Sequence, residues 1–401
     1  MTAQLIDVTD LNALRMGVQT QQPFHLIIKP IGPVCNLDCD YCFYLDKEKL
    51  YPSRHSFRMT EETLETLIRQ YIEAQPEGVQ TVHFAWQGGE PTLMGVAFFR
   101  KAMALQQQYA REGMTITNAM QTNGTLLDDE WGAFLKKQNF LIGISVDGPM
   151  KLHDKLRKTK TGGGSFKQVV RGVEVLRRYK VEHNFLCVIN SLNGDHPEKV
   201  YSTLKKLGAE HIQFIPIVEH DEFELSKPAG KRTGKVSANS VAPLQFGKFL
   251  SAVFDLWYQQ DVGKVFVRNF EEVLAKVLRE PSSMCVHAPE CGRNLAVEHD
   301  GSVFSCDHFV YPQFKQGNVM EQPLAEIVDV ASQVKFGQDK KSTLCDACTS
   351  CEYLGLCHGG CPAHRIDRQA GEKHHLNYLC EGYKYFYRQS GQGMMQIARS
   401  L

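Results

Sequence analysis

The sequence predicts an α/β protein in which helices wrap a curved, open parallel sheet and a loop-rich domain follows. Short apolar runs alternate with longer amphipathic runs between residues 24 and 216, a pattern typical of parallel sheets covered by helices. Glycine-rich or polar segments follow several of the apolar runs, and the cysteines fall into two fields. Six strand–helix steps are too few for an eight-fold barrel, so we expect a partial barrel of the (β/α)6 type.

The predicted strands are short apolar runs, and the predicted helices have apolar residues at helical spacing. Thr60 is a candidate N-cap, Gly208 is a candidate helix stop, and the turn before the fourth helix is expected to end at Ser165 as an N-cap. The predicted strands are residues 24–29, 81–86, 115–121, 141–146, 184–189 and 212–216. The predicted helices are residues 61–74, 96–109, 128–137, 166–179 and 197–207.

Changes in composition divide the chain into four parts. Residues 1–22 form a polar lead-in, and residues 23–243 form the core domain. The core ends in a polar stretch, 220–243, which we interpret as a linker or a loop over the site. Residues 244–280 are predicted to be a helical connector, and residues 281–401 form the cysteine-rich C-terminal domain.

Composition excludes some classes of function. Lys+Arg and Asp+Glu both number 45, so there is no bulk charge to attract nucleic acid or an anionic membrane. No apolar run suggests a signal peptide or a membrane span, so we expect a cytoplasmic protein. Disulfides are rare in that compartment, and the clustering of the 13 cysteines favours metal binding. Cys187 stands alone in an apolar run and is interpreted as a core residue.

The first cysteine field is the loop after the first predicted strand, where Cys35, Cys39 and Cys42 have C-x3-C-x2-C spacing. Four thiolates normally hold a 4Fe-4S cluster, so three would leave one iron open to another ligand. A zinc site or ordinary buried cysteines are the alternatives. Both are less favoured, because the loop lacks a fourth ligand and the cysteines are closely clustered.

The second cysteine field begins at residue 285. Eight thiolates would suffice for two fully ligated 4Fe-4S clusters, but also for two zinc sites, and the spacing alone leaves both open. Its cysteines are Cys285, Cys291, Cys306, Cys348, Cys351, Cys357, Cys361 and Cys380, with Cys345 in addition.

The first loop, with Tyr41 before its last cysteine, and the Gln87-Gly88-Gly89-Glu90-Pro91 turn resemble the radical S-adenosylmethionine (SAM) superfamily. The resemblance implies a radical SAM barrel in which SAM chelates the open iron and is cleaved to a 5'-deoxyadenosyl radical. Carried onto this sequence, it implies that SAM is bound by Tyr41, Gln87, Gly88, Gly89, Glu90, Asn123, Ser145, Arg157 and Val218.

The intervals of the second field resemble the SPASM extension of peptide-modifying radical SAM enzymes. That family interleaves its ligands between two auxiliary clusters, which brings the implied total to three 4Fe-4S clusters. Here the first auxiliary site would comprise Cys285, Cys291, Cys306 and Cys361, and the second Cys348, Cys351, Cys357 and Cys380. Cys345 has no counterpart in this pattern.

The segment 42–48 and the Cys306-Asp307 pair resemble the anaerobic sulfatase-maturating enzymes. The resemblance implies oxidation of a Cys or Ser in a sulfatase polypeptide to Cα-formylglycine, with a reducing donor such as flavodoxin or ferredoxin. Asp307 would be the base, Tyr44 would contact the substrate, and the auxiliary clusters would take the released electron. Burial and the adjacent thiolate are expected to raise the pKa of Asp307.

Three alternatives remain. Another SPASM maturase could form thioether or carbon–carbon crosslinks in a ribosomal peptide, although only about 22 residues precede the first strand, too few for a domain that grips a leader peptide. An electron carrier would have no use for the three-thiolate loop and the Gly-Gly-Glu-Pro turn. A zinc-stapled binding module would be distinguished by a metal and sulfide assay.

Overall fold

The computed structural model describes residues 19–52, 56–220, 236–368, 371 and 373–401. The predicted loop at 220–243 lies mostly outside these residues, as does most of the 1–22 lead-in. The strands are β1 His25–Lys29, β2 Thr81–Trp86, β3 Thr115–Thr122, β4 Leu141–Ser145, β5 His183–Ile189, β6 His211–Pro216, β7 Phe266–Val267, β8 Asn294–Glu298, β9 Ser302–Phe304, β10 Lys315–Asn318, β11 Arg365–Asp367 and β12 Leu376–Asn377.

The helices lie between and after these strands. They are α1 Glu61–Glu73, α2 Val96–Tyr109, α3 Asp129–Lys137, α4 Met150–Leu156, α5 Phe166–Arg178, α6 Pro197–Lys206, α7 Pro243–Gln260, α8 Arg268–Val277, α9 Leu324–Val328, α10 Ala331–Ser342, α11 Asp346–Thr349, α12 Leu354–Cys357 and α13 Cys380–Ser400. Short 3-10 helices occur at Leu45–Leu50, Pro91–Met94, Asp307–Phe309, Pro312–Phe314 and Pro362–His364. None of the helices in the described residues is both long and apolar enough to cross a membrane.

The six predicted strands form a parallel sheet in chain order, and the five predicted helices are present within one or two residues of their expected ends. Parallel strands in chain order with helical crossovers give the expected α/β architecture. The carboxyl ends of all six strands therefore lie along one edge of the sheet.

The sheet is larger than predicted, since it has ten strands in the order β10-β9-β8-β1-β2-β3-β4-β5-β6-β7. β8 pairs in parallel with the free side of β1, with Lys29 opposite Glu298. β9 and β10 continue the sheet in antiparallel pairing. The C-terminal part of the chain thus adds three strands to the main sheet, and they cover an edge of β1 that would otherwise be exposed.

The three residues predicted to mark helix ends all lie at those ends. The Thr60 side chain accepts a hydrogen bond from Thr63 N at the start of α1, and Gly208 follows α6 with a φ of 91°. Ser165 is the N-cap residue of α5 as expected, but its side chain does not cap the helix. The Ser165 hydroxyl donates to Arg157 O, and Asp154 accepts from Phe166 N at the start of α5 in its place.

Candidate active site

The three cysteines of the first loop lie beside one another after β1. Burial raises the pKa of Cys35 to about 11, and the Cys42 thiolate contributes to that rise. Burial likewise raises the pKa of Cys39 to about 12, opposed by the charge of Arg157 and reinforced by Cys42 and Cys35. Leu37 N donates to Cys35 Sγ at 3.4 Å. The loop therefore brings the three thiols within electrostatic reach of one another.

The Gly88-Gly89 turn packs directly against this loop. Gly88 and Gly89 have φ values of 91° and 46°, a region that favours glycine. A Cβ atom at Gly89 would lie 2.1 Å from Val34 O, so a side chain there would push away the segment that leads into the cysteine loop. The glycines bring two backbone segments together at the carboxyl edge of the sheet.

Glu90 is fully buried, and its carboxylate bonds to the chain itself. Oε1 accepts from Thr92 N, Thr92 Oγ1 and Thr122 Oγ1, and Oε2 accepts from Asn123 N. Glu90 thus joins the end of β2 to the end of β3. A direct contact of this carboxylate with SAM stays a prediction.

Tyr41 and Arg157 meet at Asp147, a residue that the sequence prediction did not assign to the site. Tyr41 Oη donates to Asp147 Oδ2 at 2.5 Å, and Arg157 Nε donates to the same oxygen at 2.8 Å. Asp147 Oδ1 accepts from Arg157 Nη2 and from Val188 N. The sequence signal that could have identified Asp147 is the presence of a carboxylate just after the carboxyl end of β4. Asp147 fixes both side chains at the sheet edge, and their contacts with SAM stay predictions.

The remaining predicted SAM contacts lie along the same edge of the sheet. Asn123 Nδ2 donates to Asn36 Oδ1 at 2.8 Å and lies 3.7 Å from Cys35 Sγ. Ser145 is buried at the end of β4, and Val218 is buried just after β6. The structure therefore brings the residues after β1, β2, β3, β4 and β6 to one edge, as the alternating pattern predicts.

Asp307 is held by two side chains from the core sheet. Lys29 Nζ, at the end of β1, lies 2.5 Å from Asp307 Oδ1. Gln87 Nε2, just after β2, donates to Asp307 Oδ2 at 2.9 Å. Lys29 Nζ also lies 3.9 Å from the centre of the Tyr44 ring, and Tyr44 Oη donates to Glu298. The predicted base and the predicted substrate contact thus share one buried lysine, which sequence reasoning missed because it falls inside an apolar strand.

The expected rise in the pKa of Asp307 is wrong. Burial does act to raise it, but the charge of Lys29, with smaller contributions from His308 and Lys47, holds the pKa of Asp307 below its ordinary value. The expectation failed because the sequence gave no sign that a buried cation faces this carboxylate. Asp307 is accordingly an ionised group in a fixed orientation.

A small cavity lies between the first cysteine loop and the C-terminal domain. The Phe43 and His308 rings stack along its wall, with centroids 5.4 Å apart. Because His308 follows Asp307 directly, the cavity adjoins the candidate base. Its lining residues are Phe43, Val218, Glu219, His220, His308, Tyr311, Ala363 and His364.

The four cysteines assigned to the first auxiliary site come from three segments and influence one another. Burial raises the pKa of Cys291 to about 12, and the thiolates of Cys361 and Cys285 add to the rise. Burial also raises the pKa of Cys306 well above its usual value, again with contributions from Cys361 and Cys285. These couplings place the four side chains in one neighbourhood despite their separation in the sequence.

The cysteines assigned to the second auxiliary site, Cys348, Cys351, Cys357 and Cys380, all line one cavity. Tyr387 also lines it, and within the described residues its buried hydroxyl has no hydrogen-bond partner. A buried donor without an acceptor is costly. An iron–sulfur cluster offers sulfur acceptors, so the thiols, the cavity and the unpartnered hydroxyl fit such a group.

Two cysteines lie outside these sets. Cys345 is buried, and its Sγ lies 3.6 Å from Cys348 Sγ, yet it does not line the second cavity. Cys187 is fully buried in β5, as expected of a core residue. Among the described residues, no three His, Cys, Asp or Glu side chains form a group that could hold a single metal ion. The ligands of a 4Fe-4S cluster bind four separate iron atoms, so they need not converge on one point.

Two family models match separate parts of the chain. Residues 30–204 match the radical SAM superfamily. Residues 285–352 match an iron–sulfur cluster-binding domain, SPASM.

Curated relatives match nearly the whole chain. A serine-type anaerobic sulfatase-maturating enzyme of Bacteroides thetaiotaomicron is 41% identical over 372 residues, covering 92% of this chain and 89% of the relative. A cysteine-type enzyme of Clostridium perfringens is 34% identical, covering 94% of this chain and 99% of the relative. The solved structure of native anSMEcpe with bound AdoMet and Cp18Cys peptide superposes with a TM-score of 0.84 at 34% identity, covering 94% of this chain and 99% of that one. The chain is a radical SAM enzyme and belongs to the family of anaerobic sulfatase-maturating enzymes.

Proposed function

We propose that this enzyme oxidises a cysteine or serine side chain in a sulfatase polypeptide to Cα-formylglycine. The observation that carries the proposal is the position of Asp307. It bonds to Lys29 and Gln87 of the core sheet, and it follows Cys306 of the first auxiliary site directly. A base at this position would lie next to the predicted SAM site, where the oxidation would start. It would also lie next to the first auxiliary cluster, which would take the last electron.

The residues at the carboxyl edge of the sheet would hold the cofactors. When bound, SAM and the 4Fe-4S clusters supply the radical that removes a Cβ hydrogen atom and the acceptor for the remaining electron. Cys35, Cys39 and Cys42 would ligate the first cluster. Tyr41, Gln87, Gly88, Gly89, Glu90, Asn123, Ser145, Arg157 and Val218 would bind SAM. A flavodoxin or ferredoxin is the expected electron donor.

Asp307 would take the proton from the substrate thiol or hydroxyl. An ionised carboxylate has about four lone-pair positions, and the contacts with Lys29 and Gln87 use two of them. An acceptor position therefore remains, while both oxygens stay in a fixed orientation. Loss of one hydrogen atom, one proton and one electron leaves a thioaldehyde from cysteine, which water hydrolyses, or the aldehyde directly from serine.

The cavity beside His308 is the proposed entrance for the substrate side chain. The stacked Phe43 and His308 rings form one wall of this cavity. Aromatic walls exclude water from the reacting carbon and leave a hydrogen atom on Cβ as the accessible target. Tyr44, fixed by Glu298, supports this wall from beneath the Phe43 ring.

The test uses enzyme reconstituted without oxygen, with SAM, a reductant and a peptide that bears the Cys-x-Pro-x-Arg sulfatase motif, and a Ser version in parallel. Mass spectrometry follows the peptide, and 5'-deoxyadenosine is quantified alongside. We expect formylglycine from at least one peptide, with a matching amount of 5'-deoxyadenosine.

The Asp307→Asn variant should still form 5'-deoxyadenosine but should lose at least about a hundredfold of peptide product, since a positioned base typically contributes that much. Asp261→Asn is the matched control, because Asp261 is also a buried carboxylate paired with a lysine, Lys205, but lies in the helical layer. If 5'-deoxyadenosine forms while both peptides stay unchanged, the substrate is another peptide and the sulfatase assignment is wrong.

A further inference from the structure

The helix α10 buries a polar face. Gln333 and Lys340 are each only 1% exposed, and Gly337 lies between them on the same face. Surface helices normally bury an apolar stripe, and lysine is almost never fully buried unless it is paired. A buried face of this composition needs polar partners that the rest of the fold supplies.

The partners of Gln333 and Gly337 are backbone groups next to predicted cluster ligands. Gln333 Nε2 donates to Gly292 O at 2.6 Å and to Ser305 O at 3.2 Å, which adjoin Cys291 and Cys306 in the sequence. Cys291 N donates to Gly337 O at 3.2 Å. A Cβ atom at Gly337 would lie 2.2 Å from Cys291 O, so the helix and this segment are in direct backbone contact.

Lys340 binds the backbone of the segment that carries Cys285, another predicted ligand of the first auxiliary site. Its Nζ donates to Cys285 O at 2.6 Å, to Val286 O at 2.9 Å and to Ala288 O. Three acceptors match the three N–H donors of an ammonium group, whereas a neutral amine has two. Lys340 is therefore bound as a cation, clamping the loop that leads from Cys285 to Cys291.

The charge of Lys340 is not balanced by a carboxylate, since none of the described residues forms an ion pair with it. The thiols of Cys291, Cys361 and Cys285 lie within electrostatic reach of the Lys340 ammonium group. Carbonyl oxygens offset only part of the cost of burying a cation. A negatively charged thiolate-ligated cluster in the first auxiliary site would supply the rest.

We propose that Lys340 is a positioning residue for the first auxiliary site, where its ammonium group holds the Cys285 loop for ligation and raises the reduction potential of the cluster. The inference rests on the proposed ligation of that cluster by Cys285, Cys291, Cys306 and Cys361. A nearby fixed positive charge favours the reduced, more negative state. The first auxiliary cluster would then be the favoured acceptor of the one electron released beside Asp307.

The test replaces Lys340 in a Cys35→Ala/Cys39→Ala/Cys42→Ala background, so that only auxiliary clusters contribute to the spectra. Lys340→Gln keeps two N–H donors for the loop and removes the charge, and Lys340→Met removes both. Lys341→Gln, on the exposed side of the same helix, is the matched control. Iron and acid-labile sulfide are counted per chain, and the auxiliary potentials are measured by anaerobic titration followed by electron paramagnetic resonance.

We expect Lys340→Gln to keep its iron and to shift the redox equilibrium of one cluster by about tenfold towards the oxidised state, equivalent to about 59 mV for one electron. Lys340→Met should additionally lose about four iron atoms, and adding Cys291→Ala to it should remove no more. Iron loss confined to this site in either variant also supports the positioning role. Unchanged potentials and iron in both variants would overturn the inference, as would equal iron loss from both sites.

Failure of the underlying proposal would look different. If a Cys285→Ala/Cys291→Ala double variant keeps all of its iron, the first auxiliary site holds no cluster and the proposed electron exit is lost. If that double variant loses about four iron atoms while the Lys340 variants match the Lys341→Gln control, only the role of Lys340 is wrong.

Discussion

The two proposed auxiliary sites have the same number of cysteines and contrasting surroundings. The first is bordered by Lys340 and Gln333, which bind the backbone of its cysteine segments. The second is lined by Leu354 and the rings of Tyr353, Tyr383 and Tyr387, with Lys384 at its more exposed side. Nearby cations and hydrogen bonds raise a cluster potential, and apolar burial lowers it. Two sites with equal ligand sets can therefore take different places in an electron path.

Removing one ligand from each site has the largest expected effect on this comparison. Cys291→Ala and Cys357→Ala should each lose at least about one iron atom per chain and nearly all formylglycine formation, because each iron of a fully ligated cube is held by its own thiolate. Cys187→Ala, in the apolar core of β5, should keep its iron. Iron and sulfide analysis measures the loss. If either variant loses the iron of both sites, the two clusters are inserted together. The surroundings of one site then cannot be said to set its reduction potential independently of the other.

Overpacking the contact between α10 and the Cys291 segment should affect the first auxiliary site only. Gly337→Ala places a Cβ atom 2.2 Å from Cys291 O, which overpacks the interface at a cost of about 1–3 kcal/mol. We expect iron loss from the first site and a lower melting temperature. Gly355→Ala is the matched control, since no atom lies within 4 Å of its Cβ position although it adjoins ligands of the second site. Equal iron content and equal melting temperatures in the two variants would contradict the proposal that α10 positions the cysteine segments of the first auxiliary site.

A smaller effect is expected at the second site from Tyr387→Phe. If the unpartnered hydroxyl donates to cluster sulfur, its removal should lower the potential of that cluster by up to about 59 mV and leave the iron content unchanged. Tyr385→Phe, about 200° away around α13, is the control. A redox titration measures both. An unchanged potential in Tyr387→Phe would mean that the hydroxyl does not contact the cluster.

The smallest effect is expected from Cys345→Ala. Cys345 Sγ contacts Cys348 Sγ but lies outside the cavity lining, so the second site should keep its iron. Loss of the buried sulfur should cost about 1 kcal/mol of unfolding free energy, as for a small buried apolar group. Denaturant unfolding and iron analysis measure the two quantities. A loss of about four iron atoms would show that Cys345, and not its neighbour, is a ligand.

The repeating core could be predicted from sequence because local pattern and global fold agree there. Each predicted strand of the core lies in the parallel sheet in chain order, and Thr60 and Gly208 mark helix ends through local chemistry alone. β8 could not be placed, because pairing with β1 joins residues far apart in the chain. The helix α10 was missed because its buried face of Gln333, Gly337 and Lys340 lacks the apolar period on which helix prediction depends.

The site shows the same division. Its cysteines and the glycine turn have fixed spacing and could be assigned by resemblance. Asp147 and Lys29 belong to no motif with a characteristic spacing, yet they orient Arg157 and Asp307, respectively. Charged residues at strand ends become informative only when their partners are known, and those partners come from other strands. The error in the expected pKa of Asp307 has this origin.

The pairing of β8 with β1 has a consequence for hybrid enzymes. Lys29 lies opposite Glu298 in the strand register, and these are the residues that bind Asp307 and Tyr44. A slip of one residue would turn one of the two side chains to the other face of the sheet. In chimeras between relatives, the C-terminal third should therefore be exchangeable only together with a compatible β1, and crossovers placed between residues 30 and 290 should give insoluble or inactive chains unless this strand pair is preserved.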